Sequence, residues 1–246
     1  MLSLVPGDGH SLEELAFGAD GPAYVDGLAA SLMARGTELL DGPGPRDEAA
    51  GGGYGVTFTD PEGRRVEVSH GLATHPEKIG EHGPDRLSHV VLNSTAVYAS
   101  RAFYVDLLGF KVSDTYEREL MTFLRCNQLH HCVVLAPGAW TSLNHVAFEV
   151  ASADKVMRSL GRMRKAGIET IWGPGRHGPG GNVFCYFTDP VGNVIEYTAE
   201  LLELDEDWEP QVWARTPENA DVWGTSGGIT PEVIAAMANP PVVSRP

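Results

Sequence analysis

The sequence predicts an α+β fold built from tandem βαβββ modules, and two observations predict it. The first is an internal repeat. LNHVAF at 143–148 resembles LEELAF at 12–17, and the same offset relates Pro137-Gly138 to Pro6-Gly7 and Gly167 to Gly36. A slightly shorter offset relates FTDPVGNVIE at 187–196 to FTDPEGRRVE at 58–67. Self-similarity at this spacing marks one duplicated structural unit. The second observation is the order of hydrophobic periods within the unit, strand-like, then helix-like, then strand-like again.

The copy nearest the C-terminus reads most clearly. It opens with alternating apolar residues, Leu143, Val146, Phe148 and Val150. A helix follows over about 152–166, with Val156, Leu160 and Met163 at helical spacing and Gly167 suited to end it. Gly/Pro-rich turns then separate three further strands, the last two joined by TDPVGN. Residues 86–135 form another copy: His89-Val90-Val91-Leu92 opens it, and Ala99, Phe103 and Leu107 line a helix that stops at Gly109. MTFLRC and HHCVVL supply its later strands.

Three modules result, at roughly 2–70, 86–137 and 141–199. The expected domains are an N-terminal one at 1–75 with a single degenerate module, a linker at 76–85, a two-module domain at 86–200 and an acidic tail at 201–246. The second and third modules can complete one curved sheet together. The first has no partner, and unpaired sheet edges are a liability that proteins cover. LSLVPG at 2–7 matches the middle of a strand that ends a module (VVLAPG), so a preceding module is expected, or else another subunit in a homo-oligomer.

A formal net charge of -15 excludes nucleic acid and anionic membranes as expected partners, because both demand clustered Lys and Arg. No apolar run reaches membrane-span length and the first residues do not read as a secretion signal, so a cytoplasmic protein is expected. Cys126, Cys132 and Cys185 are odd in number and lack metal-ligand spacing; Cys126 and Cys132 are expected to pack as small hydrophobes.

His89 and His145 occupy equivalent points on the opening strands of modules two and three, each preceded by Leu and a small polar residue. Glu196 lies on the last strand of module three, which faces the same cavity. Either histidine alone is more often an ordinary core or surface residue. A glutamate in an apolar strand is rarer without a partner. At matched points of a duplicated unit, a shared divalent metal accounts for all three, and two imidazoles with one carboxylate leave the opposite face of an iron open. His131, His177 and Tyr186 are residue types that move protons around such a metal. Module one places Glu14, Glu67 and Thr57 at the positions of His145, Glu196 and Tyr186, so it keeps the fold without the cluster.

The stretches LSHVVL, LRCNQLHHCVVL, LNHVAFEV, GPGRHG and FTDPVGNVIEYTAEL together resemble the type I extradiol, ring-cleaving catechol dioxygenases of the vicinal oxygen chelate superfamily. The resemblance covers essentially the whole chain, without that family's first module. It implies that His89, His145 and Glu196 bind Fe(II), or Mn(II) as in some members. It implies an acid–base role for His131, with His177 and Tyr186 hydrogen-bonding the substrate's oxygens. His130, beside His131, alternates to the other face and is expected to be structural. The implied substrates are a catechol and O2. Members acting on carboxylated catechols carry arginines where this chain has Trp172 and Asn219-Ala220. A neutral or apolar catechol, 2,3-dihydroxybiphenyl-like, is therefore expected, with Trp172 and Phe123 as pocket walls or as ordinary core. The rivals are a glyoxalase-like metal isomerase and a metal-free ligand-binding protein of the resistance type on the same scaffold.

Overall fold

The computed structural model describes residue 4 and residues 11–48, 51–73 and 83–240. The chain divides into two compact units, one comprising Leu12–Lys78 and Tyr98–Gly109, the other Met1–Ser11, Ile79–Val97 and Phe110–Pro246.

The smaller unit holds β1 (Leu15–Gly18), α1 (Pro22–Ala34), β2 (Leu39–Pro45), β3 (Tyr54–Thr59) and β4 (Arg65–His70) in a sheet of order β1-β4-β3-β2. Pro22 opens α1, where its missing N–H costs nothing, and Val25, Leu28, Ala29 and Leu32 form its buried stripe. Gly36 ends it at φ +79°, donating to the Met33 carbonyl. The helix α2 (Val97–Asp106) lies in sequence within the second module, yet residues 98–109 cluster with this unit. The reason is chemical: the Phe103 ring lies 6.0 Å from that of Phe58, and Tyr104 and Ser100 donate from their hydroxyls to Asp60 and Glu62. The contacts thus draw a boundary that the repeat pattern does not. Of the expected linker, residues 76–82 lie outside those described, as do residues 2–3 and 5–7 of the LSLVPG match.

The larger unit contains β5 (Arg86–Ser94), β6 (Lys111–Tyr116), β7 (Thr122–Arg125), β8 (Val133–Pro137), β9 (Ser142–Glu149), α3 (Ala153–Lys165), β10 (Trp172–Arg176), β11 (Val183–Thr188) and β12 (Val194–Ala199). After them come β13 (Gln211–Trp213), α4 (Pro217–Ala220) and α5 (Pro231–Ala238). The sheet order β10-β11-β12-β9-β5-β8-β7-β6-β13 places the two modules back to back about the antiparallel β5–β9 pair. Ser152 caps α3 through the Lys155 N–H, and Val156 and Leu160 bury against Val183 and Cys185. Asp189 accepts from the Val191 and Asn193 N–H groups and shapes the turn between β11 and β12.

The repeat holds residue by residue. Ala16 faces Glu67 across β1–β4, and Ala147 faces Glu196 across β9–β12. In module two the same place is taken by Val91 facing Val134. The tail is more than an appendage: β13 extends the sheet beside β6, and the end of α5 is tied to β5 and β9.

Candidate metal centre

Register explains why three ligands converge. Across β5–β9, His89 pairs with Ala147 and Val91 with His145, so the two imidazoles leave neighbouring strands two positions apart on one face. Glu196 follows on β12, directly beside β9. Candidate ligand atoms of His89, His145 and Glu196 all lie within 4.8 Å of one another, and all three residues are buried. Oε2 of Glu196 is 3.1 Å from Nε2 of His89 and 3.2 Å from Nε2 of His145.

The donor set fits a divalent cation. Asn93 donates from its amide to the Met237 and Ala238 carbonyls, and its Oδ1 accepts from Asn144. The Asn144 Oδ1 then accepts from Nδ1–H of His145 at 2.8 Å. His145 Nε2 is left with a lone pair turned towards a carboxylate, and it has no hydrogen-bond partner among the described residues. Two acceptors facing each other in a buried site repel unless a cation lies between them. Ser88 stands beside Nδ1 of His89 in the same way, at 3.1 Å. A partner on the far nitrogen is what orients a metal-binding imidazole. The small polar residue before each histidine in the sequence is therefore its support. On Glu196, burial alone would raise the carboxyl, but the opposing influences, His89 first among them, hold it well below the usual range. Burial lowers His145, which favours the neutral form that ligates a metal. The remaining oxygen of Glu196, Oε1, accepts from Asn182, which also donates to Thr198.

The other singled-out residues surround this trio. His131 is buried, with its ring 4.3 Å from that of His89. Its Nδ1 lies 2.9 Å from Nδ1 of His130, whose Nε2 is 3.0 Å from Asp114. Asp114 also accepts from the Trp213 indole and the Gln211 amide. A carboxylate only accepts, so His130 donates through Nε2 and accepts at Nδ1. His131 then donates through Nδ1 and presents a bare Nε2. Burial, followed by the charges of neighbouring histidines, pushes His131 well below its ordinary value. The sequence reading put His130 on the opposite face as a structural residue; here it is fully buried and bonded directly to His131. The adjacent histidines carried that signal, whereas Asp114, sixteen residues away on β6, carried none.

His177 donates through Nδ1 to the Ala220 carbonyl at 2.8 Å and accepts at Nε2 from the Tyr186 hydroxyl at 3.0 Å. Burial and then the charge of Glu196 raise Tyr186 well above its usual value. Trp172 stacks on Tyr186 at 5.1 Å, packs against Val233 and Met237 of α5, and has no hydrogen-bond partner for its buried indole N–H among the described residues. Phe123 lies 5.3 Å from His131. The two aromatics thus stand each against different site residues.

A two-module sheet with two imidazoles and a carboxylate closing on one buried point defines a class of metal-centred paired-module proteins. Comparisons agree with it. Residues 86–197 match the family described as the Glyoxalase/Bleomycin resistance protein/Dioxygenase superfamily. A solved structure titled Mn(II)-bound glyoxalase, from Novosphingobium aromaticivorans, superposes with a TM-score of 0.85 at 39% identity, covering 92% of this chain and 75% of that one. Metapyrocatechase 2 of Cupriavidus necator is 32% identical over 197 residues, 71% of this chain and 60% of that protein. The iron-dependent extradiol dioxygenase of Rhodococcus jostii is 28% identical over 231 residues, 84% of this chain and 70% of its own length. The chain belongs to the glyoxalase/bleomycin resistance/dioxygenase superfamily, and its relatives of known name include extradiol ring-cleaving dioxygenases. No helix among the described residues is long and apolar enough to cross a membrane.

Proposed function

We propose that this chain is an extradiol dioxygenase that opens the ring of a neutral or apolar-substituted catechol with O2, using Fe(II) held by His89, His145 and Glu196. Mn(II) is the alternative ion, and both ions appear in the names of relatives. The observation that carries the reading is the buried trio together with an outer ring of His131, His177 and Tyr186. The ion would supply a Lewis-acidic, redox-active centre at which both substrates meet and the catechol hydroxyls become more acidic.

The chain's own residues do the rest. His131 holds its lone pair at Nε2, where it takes a proton from the reacting oxygens and returns it as the ring opens. His130 and Asp114 keep that tautomer in place, as the third member of a catalytic triad does. Tyr186 and His177 steady charge on the substrate's ring oxygens. Five of the six residues are buried and His177 is half-buried, which limits the access of water to the site. Trp172 and Phe123 form the apolar walls. Arg176, adjacent to His177, is engaged by Glu200, the Gly181 carbonyl and the Trp223 ring, which leaves it unsuited to receive a ring carboxylate.

A glyoxalase-like isomerase is the second reading, favoured by the name of the 39% identical neighbour. Against it stands Val134, which occupies in β8 the place that Glu196 holds in β12, so module two offers no carboxylate there as a base or fourth ligand. A cytoplasmic homo-oligomer completes the proposal, with no nucleic-acid or membrane partner. The test is anaerobic loading with Fe(II), followed by air and a panel of catechols. A coloured ring-opened product with matching oxygen uptake supports the reading; isomerase turnover without oxygen uptake supports the rival.

A further inference from the structure

The loop joining β7 to β8 carries two of the chain's three cysteines as well as His130 and His131. Cys126 opens the loop and is exposed, while Cys132 closes it and is half-buried. Their sulfurs are 3.3 Å apart. The Cys132 backbone is pinned on both sides, donating to the Leu124 carbonyl at 2.9 Å and accepting from the Val90 N–H at 3.0 Å. One sulfur is thus held against the sheet while its neighbour meets solvent. The expectation that both pack as small hydrophobes does not fit the exposed Cys126. A hydrogen bond from Cys132 holds the Cys126 thiol below its ordinary range, and the same contact, with burial, holds Cys132 well above it. An accessible, more acidic thiol beside a sheltered one is the arrangement in which the first sulfur attacks and the second resolves.

We propose that Cys126 and Cys132 form a redox-active dithiol, which a peroxide closes into a disulfide within the loop. In the first step the Cys126 thiolate attacks one peroxide oxygen, forming an S–O bond and breaking the O–O bond, and hydroxide leaves. In the second, the Cys132 sulfur attacks the Cys126 sulfenic acid. An S–S bond forms, the S–O bond breaks, and water leaves with the Cys132 proton. The peroxide gains the two electrons that the sulfurs lose, and a thiol reductant reverses the change. The closed ring spans Asn127–His131 and so places both histidines inside a covalent loop. Cysteine pairs of this kind in a reducing compartment serve as sensors rather than as structural bridges. The proposal is independent of the catechol reading.

The test treats the folded, metal-free full chain with hydrogen peroxide in the presence of a chelator, then alkylates it under denaturing conditions and maps the peptides by mass. Wild type is expected to lose two hydrogens in mass, to yield a linked Cys126–Cys132 peptide with Cys185 still alkylated, and to recover three alkylatable thiols after dithiothreitol. Cys132→Ser is expected to trap a dimedone adduct on Cys126, and Cys126→Ser to show none on Cys132. Circular dichroism confirms that each variant is folded. Three free thiols after peroxide, a cross-link only between chains, or an adduct on Cys132 in place of Cys126 would overturn the proposal.

Discussion

At the scale of single residues, the site rests on partners that set which nitrogen of each imidazole is bare. Asn144 fixes His145, Ser88 stands behind His89, and the Asp114–His130 pair fixes His131. Removing such supports weakens metal binding or activity by about 10–100-fold in other proteins. Asn144→Ala is accordingly expected to weaken Fe(II) binding by about that factor, measured by anaerobic titration, while the fold persists. His131→Phe is expected to keep the metal and lose most turnover. If the variant turned over like the parent, the acid–base role would be wrong. Glu196→Ala removes the one carboxylate of the trio and is expected to abolish binding of the ion at this site.

The trio was legible before any coordinates because each member sits at a repeat-related position in a strand, where side-chain direction follows from alternation. For His130 the complementary reason applies. HHCVVL reads as strand, but β8 begins only at Val133, so alternation does not govern which way the two histidines before it face.

At the scale of elements, the strands and the helix of the third module follow closely from their periodicity, with α3 at Ala153–Lys165 against an expected 152–166. What periodicity does not encode is which sheet a helix joins. The choice of α2 depends on Phe58, Asp60 and Glu62, far away in sequence. The role of α5 was likewise hidden in a tail read only as acidic. Its last carbonyls accept from Asn93, Trp140 and Ser142, and Asn93 in turn orients Asn144 and hence His145. A helix end is therefore linked to a metal ligand through two side-chain amides. Asn93→Ala is expected to speed amide exchange over residues 231–239 and to lower metal affinity in the same variant. Faster exchange with unchanged affinity would break that link.

At the scale of the whole molecule, burying several histidines and a carboxylate at one point ties stability to pH. His131, His145 and His177 have folded values below that of an exposed histidine, so the unfolded chain binds the proton that the folded one refuses. The metal-free protein is then expected to lose stability as pH falls below about 6.5, by about 1.4 kcal/mol per pH unit for each such histidine. Glu196, whose folded value is also lowered, adds a further loss in the range below about 4.3. Urea denaturation at a series of pH values measures this, and a flat profile between pH 7.5 and 5.5 would contradict it. Metal binding to the folded state alone opposes the loss, contributing about 2.7 kcal/mol at a hundredfold excess over Kd.

The proposed function depends on one ion lying among three side chains drawn from two sister modules. Anomalous diffraction from crystals of the chain loaded anaerobically with Fe(II) tests this most directly. The expected result is one iron peak per chain within bonding distance of His89, His145 and Glu196. Iron bound elsewhere, or no peak at this position, would contradict it.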